Sequence, residues 1–213
     1  MNREQGRGAG TMNEQKVLLP RKATVSRQTK ETKVEISLDL DGTGESRIQT
    51  GIGFFDHMLT LMARHGLFTL EIEAAGDLEV DSHHTVEDVG IVLGQAIAKA
   101  AGEKYGIRRY GQIYVPMDEA LALVVLDFSG RSYLAFEAEL GQGRVGGLDV
   151  EMVEEFLRAL ADNAGITLHI RMLAGKNRHH MIEAVFKALG RAMAAALEID
   201  PRVKGVPSSK GSL

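Results

Sequence analysis

Between Lys33 and Leu40 apolar and polar side chains alternate without a break. Val34, Ile36, Leu38 and Leu40 fall on one face, and Lys33, Glu35, Ser37 and Asp39 on the other. This period of two predicts a strand with one buried face. Lys22–Gln28 reads as a short strand before it, and Asp41-Gly42 predicts a hairpin turn into a strand over Ser46–Thr50. The period then becomes helical from Phe54 to His65 (Phe55, Met58, Leu59, Met62), with Gly66 as the stop. Leu67–Ala74 alternates again. A second helix follows, capped by Asp81 or Ser82 and ending near Gly102.

The pattern then restarts. Strands are predicted at Gln112–Val115, Ala120–Phe128 and, after a Ser129-Gly130 turn, Arg131–Glu139. A glycine-rich loop, Gly141–Gly147, leads to Asp149 as the cap of a helix through Ala164, stopped by Gly165. Ile166–Leu173 alternates, and a last helix runs from about His179 to Glu198, before Asp200-Pro201. The chain thus reads as α+β, an internal duplication of β-β-β-α-β-α halves over 21–107 and 108–200. Residues 1–20 are expected to be a disordered leader, and 201–213 form a Gly-, Ser- and Lys-rich tail. Smaller matches agree: Glu31 falls on Glu119 at an offset of 88, and His57 on Glu155 at an offset near 98. A helix-and-sheet half has one apolar face to cover, which packing the halves together would achieve.

Composition narrows the chemistry. A net charge of −4 gives no reason to expect nucleic acid. The absence of cysteine excludes disulfides, thiolate catalysis and thiolate zinc sites, and leaves imidazole and carboxylate as metal ligands. No apolar run has the length of a membrane span, and residues 1–20 lack an apolar signal core, so a soluble cytoplasmic protein is expected.

The duplication is sharpest at Asp81-Ser82-His83-His84-Thr85-Val86-Glu87-Asp88 and Asn177-Arg178-His179-His180-Met181-Ile182-Glu183-Ala184, 96 residues apart from His83 to His179. On a helix the glutamate shares a face with either histidine, at i,i+3 or i,i+4. Adjacent histidines project about 100° apart and do not converge on one ion. Two copies therefore point to two metal ions, each drawing ligands from both copies. The repeat sorts the candidates into His57, His84, Glu87 and His179 on one side and His83, Glu155, His180 and Glu183 on the other. Helix geometry alone equally allows Glu87 to go with His83. Such donors suit Mn, Fe, Co, Ni or Zn. Histidines are also ordinary surface residues: His65 suits a helix C-terminus and stays a candidate, whereas His169, on the polar face of a strand, is set aside. Arg109, Arg131, Lys187 and the tail Ser208-Ser209-Lys210-Gly211 supply the forked donors, ammonium and hydroxyls that hold a phosphate.

Four segments in order resemble one family. They are Gly51-Ile52-Gly53-Phe54-Phe55-Asp56-His57-Met58-Leu59, the two His-His segments (the second from Ala174), and Pro207-Ser208-Ser209-Lys210-Gly211. From about residue 21 to the C-terminus the chain is similar to imidazoleglycerol-phosphate dehydratases. The resemblance implies a manganese-dependent lyase of histidine biosynthesis. It would dehydrate D-erythro-imidazoleglycerol phosphate to imidazole acetol phosphate through an imidazolate held by two metal ions. It also implies two Mn2+ per site, with other divalent metals as alternatives, and halves each made of a four-stranded sheet with two helices on one face, like domain 2 of ribosomal protein S5. A shell of 24 subunits with sites between them is implied as well. By motif position the metal ligands would be His57, His83, His84, Glu87, Glu155, His179, His180 and Glu183. Glu31 and Glu183 would be the acid–base candidates, unassigned between them. Glu31, His57, His65, His83, Glu87, Arg109, Arg131, Lys187, Ser208, Ser209 and Lys210 would contact the substrate. One departure stands out: many members have His where this chain has Glu155, in Glu154-Glu155-Phe156-Leu157, although a carboxylate also suits manganese. A dimetal hydrolase of a phosphorylated small molecule and a metal-storing shell protein are the competing readings.

Overall fold

The computed structural model describes residues 20–211 and 213, so the expected leader lies, apart from Pro20, outside the described residues. The first half runs β1 (Lys22–Gln28), β2 (Thr32–Asp39), β3 (Ser46–Gln49), α1 (Gly53–Gly66), β4 (Thr69–Gly76) and α2 (His83–Ala101). The second runs β5 (Tyr110–Met117), β6 (Ala120–Asp127), β7 (Tyr133–Glu137), β8 (Arg144–Val145), β9 (Leu148–Asp149), α3 (Met152–Ala164), β10 (Thr167–Ala174) and α4 (Arg178–Leu197). The two main sheets have one topology, β1-β2-β4-β3 and β5-β6-β10-β7.

Alternation sets the register. Val34, Ile36 and Leu38 of β2 stand opposite Ala74, Ile72 and Leu70 of β4, so one set of pairs lines a single apolar face. That face is covered by helices, α2 on β1 and β2 and α4 on β5 and β6. The helices of one half then meet those of the other, α1 against α4 and α2 against α3. The molecule is layered sheet, helices, helices, sheet. At its centre Phe55, Phe156 and Phe186 are all but fully buried, with Phe156 edge-on to Phe55 at 5.2 Å and stacked on Phe186 at 5.5 Å. Each such burial is worth about 1.5–3 kcal/mol.

Glycines let the helix layers touch. A Cβ on Gly190 of α4 would lie 2.2 Å from the Met62 carbonyl oxygen of α1 and 3.1 Å from Gly66 N. A Cβ on Gly94 of α2 would lie 2.7 Å from the Leu160 carbonyl oxygen of α3 and 2.9 Å from Ala164 N. Gly94 and Gly190 are 96 residues apart, the spacing of the His-His segments, so both crossings are one contact made twice.

Three local expectations are corrected. β3 is not the second arm of a hairpin: β4 occupies the free side of β2, and β3 pairs parallel to β4 at the sheet edge. Asp41-Gly42 instead carries the chain past Thr69, whose backbone nitrogen would lie 2.2 Å from a Cβ on Gly42. Gly66 is the last residue of α1, where the crossing needs its bare backbone, and the left-handed turn passes to Leu67 at φ 59°. The stretch Gly141–Gly147 folds into the β8–β9 hairpin. There Asp149 accepts both arms of the Arg144 guanidinium, at 2.7 and 3.0 Å, and leaves the start of α3 without a side-chain cap.

Candidate metal centre

The two His-His helices start in the same way. Asn177 accepts a hydrogen bond from His179 N at 2.9 Å, and Asp81 accepts one from His83 N at 2.7 Å. Asp81 and Asn177 hold one place in the repeat, so a single capping device starts both helices and sets the histidines on their first turns. Ser82 caps nothing; its hydroxyl is buried without a partner among the described residues.

Where α1 crosses α4, His57 meets His179 and Glu183. One donor atom from each lies within 4.8 Å of the others, the one such trio among the described residues. His179 Nε2 is 3.1 Å and His57 Nε2 3.9 Å from the same Glu183 oxygen, and the Phe54 ring stands edge-on to His179 at 5.0 Å. Lys187 Nζ lies 2.5 Å from the second Glu183 oxygen. Burial pushes the Glu183 carboxyl up, but Lys187 and His179 outweigh it and hold the group below its usual range, as a carboxylate. The side chains of His57 and His179 are 48% and 43% exposed, so the trio opens outward. An imidazole pair with one ionised carboxylate fits manganese or a similar divalent ion, and three donors leave positions free for substrate. His65 lies farther along α1, where burial and the charges of Lys187 and Arg191 hold its pKa below the ordinary value.

The equivalent of the trio at the other crossing, of α2 with α3, is incomplete. His83 Nε2 lies 4.0 Å from Glu87. By the repeat, Glu155 stands to this pair as His57 does to His179 and Glu183, yet among the described residues of one chain it does not complete a trio. Glu183 therefore sits with His57 and His179, whereas the repeat-based grouping set it with His83, Glu155 and His180. Glu87 is within reach of His83. The trio does draw on both halves, as the duplication requires.

His84 and His180 each turn Nδ1 toward a carboxylate, Asp77 at 3.0 Å and Glu119 at 2.8 Å. These bonds raise both imidazole pKa values. The His180 bond, with backbone N–H groups of Asn177 and Lys176, lowers Glu119 to about 2. Sequence reasoning missed both carboxylates as site residues. Glu119 carried a signal, since it repeats Glu31; Asp77 has no counterpart in the other half. The Glu31 side chain makes no hydrogen bond or ion pair among the described residues, yet its charge helps to raise His84.

The phosphate-type residues divide between two places. Arg109 donates Nε and Nη2 to Asp127 at 2.6 and 3.0 Å and Nη1 to the Pro207 carbonyl at 2.9 Å, so its fork anchors the tail. The tail runs on past Gly130, against which Leu213 packs, and so reaches the neighbourhood of Arg131. The Arg131 and Lys210 side chains have no partner among the described residues. Lys187 is not with them but beside the trio. Arg109 N bonds Ala196 O at the far end of α4. From His179 to Ala196 is 17 residues, or about 25 Å of helix, so one chain keeps its trio and its tail at opposite ends of α4.

Fold and side chains together define a class, an enzyme on a duplicated β-β-β-α-β-α scaffold with an imidazole–carboxylate cluster able to hold a metal ion. Residues 50–193 match the family described as imidazoleglycerol-phosphate dehydratase. Two bacterial proteins of that name, from Acetivibrio thermocellus and Moorella thermoacetica, are 61% and 60% identical over 195 residues, which is 92% of this chain and 100% of each relative. The Staphylococcus aureus dehydratase structure is 46% identical with a TM-score of 0.76, covering 83% of this chain and 98% of that one. That of the Pyrococcus furiosus protein, in complex with (S)-C348, is 36% identical with a TM-score of 0.77, covering 89% and 100%. The chain belongs to the imidazoleglycerol-phosphate dehydratase family, and is thereby a lyase of histidine biosynthesis. Among the described residues no helix is long and apolar enough to cross a membrane.

Proposed function

We propose that the chain dehydrates D-erythro-imidazoleglycerol phosphate to imidazole acetol phosphate with two manganese ions, at sites shared between subunits of a homo-oligomer, in the family's manner a shell of 24. The observation that carries this reading is the trio of His57, His179 and Glu183, drawn from both halves and open to solvent. His83, Glu87 and Glu155, together with His84 and His180, would hold the second ion and complete the first once another copy supplies what one chain lacks. When bound, the ions supply Lewis acidity to the ring nitrogens of the substrate. Glu183 is occupied by His179 and Lys187, which suits a ligand better than a base. Glu31, unpaired among the described residues and close to His84, then moves the proton on carbon. Arg131, Ser208, Ser209 and Lys210 hold the phosphate, with Arg109 fixing the tail and Lys187 and His65 standing near Glu183 of the trio.

The separation of trio and tail supports a shared site, because a molecule the size of the substrate cannot bridge about 25 Å along α4. The outer face of the second sheet supports association as well. It leaves Tyr114, Tyr133 and Leu173 between 48% and 61% exposed, apolar side chains of the kind that pair with another copy.

Stripping the protein with a chelator should abolish formation of imidazole acetol phosphate, and manganese should restore it. A fully assembled, manganese-loaded protein that turns over none of the substrate would refute the reading. Sharing is tested separately. Lys210→Ala is expected to raise KM about tenfold through loss of a charged hydrogen bond. Mixed with Glu183→Gln before assembly, an Arg131→Ala/Lys210→Ala variant should give more turnover than the two give apart. A mixed assembly no more active than its components would place trio and tail in one chain's site.

A further inference from the structure

Glu119 sits in the β5–β6 turn, outside every segment that carried the resemblance. One of its oxygens accepts backbone N–H groups from Lys176 at 3.1 Å and Asn177 at 2.7 Å, at the start of α4. The other faces His180 Nδ1 at 2.8 Å. A carboxylate can only accept, so it places the proton on Nδ1 and leaves the lone pair on Nε2. That nitrogen has no hydrogen bond among the described residues; the Asp118 carboxylate lies 3.8 Å away. In the first half the corresponding turn, between β1 and β2, carries Glu31, but His84 takes its carboxylate from Asp77 instead, Nδ1 to Oδ2 at 3.0 Å. The same tautomer is set on both histidines by groups from unrelated places.

We infer that Glu119 and Asp77 are positioning residues that set His180 and His84 for metal ligation through Nε2, and that Asp77 thereby releases Glu31 for the substrate. Outer partners of this kind orient imidazole ligands and raise their basicity, and their loss weakens metal binding by about 10–100-fold. The inference rests on the two-metal reading above, since it gives His84 and His180 a bond to make.

Glu119→Gln separates positioning from structural support. The amide oxygen still accepts the backbone N–H groups of Lys176 and Asn177, so the turn stays clamped to α4. The amide nitrogen then faces His180 Nδ1, where it can only donate, which moves the ring proton to Nε2. Asp77→Asn does the same to His84. The experiment is equilibrium manganese binding to the chelated full-length protein, by metal content and the manganese electron-paramagnetic-resonance signal, alongside thermal unfolding of the metal-free forms.

The expected result is manganese affinity lowered about 10–100-fold in both variants, an unchanged metal-free melting temperature, and wild-type affinity in Glu31→Gln. Wild-type affinity in Glu119→Gln and Asp77→Asn would overturn the positioning role and leave the two-metal reading standing. So would a metal-free melting temperature that falls in step with affinity, which marks a structural clamp. Loss of affinity in Glu31→Gln equal to theirs would overturn the release of Glu31. A wild-type protein that binds no manganese would overturn inference and two-metal reading together.

Discussion

Glu183→Gln is expected to lower turnover by about 10³-fold, the equivalent of losing about 4 kcal/mol of Lewis-acid stabilisation of the transition state. The carboxylate is the hub of the cluster: it joins His179 at 3.1 Å, lies 3.9 Å from His57 and holds Lys187 at 2.5 Å. Glutamine keeps the shape and one acceptor for Lys187 but loses the charge that an ion needs there. Removing one side of a buried pair costs about 3–5 kcal/mol, and the retained amide oxygen reduces that, so the variant should fold. Steady-state kinetics at saturating manganese, with circular dichroism as the check on folding, decides the matter. Near-wild-type turnover in the Glu183 variant would remove the trio from the mechanism.

The largest effect on stability is expected at Gly190→Ala. The added methyl would sit 2.2 Å from a carbonyl oxygen of α1 and 3.0 Å from its carbon. Backbone cannot step aside as a side-chain end does, so α1 and α4 must separate and strip contacts from Met58, Leu59 and Met62. Overpacking of this sort costs about 3 kcal/mol. Gly53→Ala is the contrast: a Cβ there meets nothing within 4 Å, and fewer unfolded conformations should stabilise by about 0.4–1 kcal/mol. Urea midpoints of the metal-free proteins compare the two. A Gly190→Ala midpoint equal to wild type would mean that the helix layers are not held as closely as the crossing shows. The same substitution should also weaken manganese binding, because that crossing brings His57 to His179.

The strands with one buried face were legible because period two survives in the residues themselves, as in Val34-Ile36-Leu38 and Leu168-Ile170. The duplication was legible from two five-residue cores. What sequence spacing could not give was partnership in space. β3 was assigned to a hairpin because neighbours in sequence usually pair, yet α1 brings β4 in between. Gly66 was taken as a helix stop because glycine most often is one; its use as a contact is visible only when Gly190 is seen against it. The grouping of ligands within one chain met the same limit. Glu87 and Glu183 can face either histidine of their motif on a helix wheel, and the crossing partner, not the wheel, decides. Glu119 needed the duplicated turn to be read as part of the site, and Asp77 could be found only from the fold.

The repeated crossing at Gly94 and Gly190 also bears on symmetry. A single half-length chain would make the same contact with a second copy of itself about a twofold axis, using one glycine for both crossings. Joined end to end, the two copies keep that geometry but no longer have to share a sequence. α4 carries Lys187 and Arg191, where the matching turns of α2 hold Ile91 and Gln95. A substrate with a ring at one end and a phosphate at the other has no twofold axis. Covalent tethering is what lets a symmetric frame carry two unlike lips.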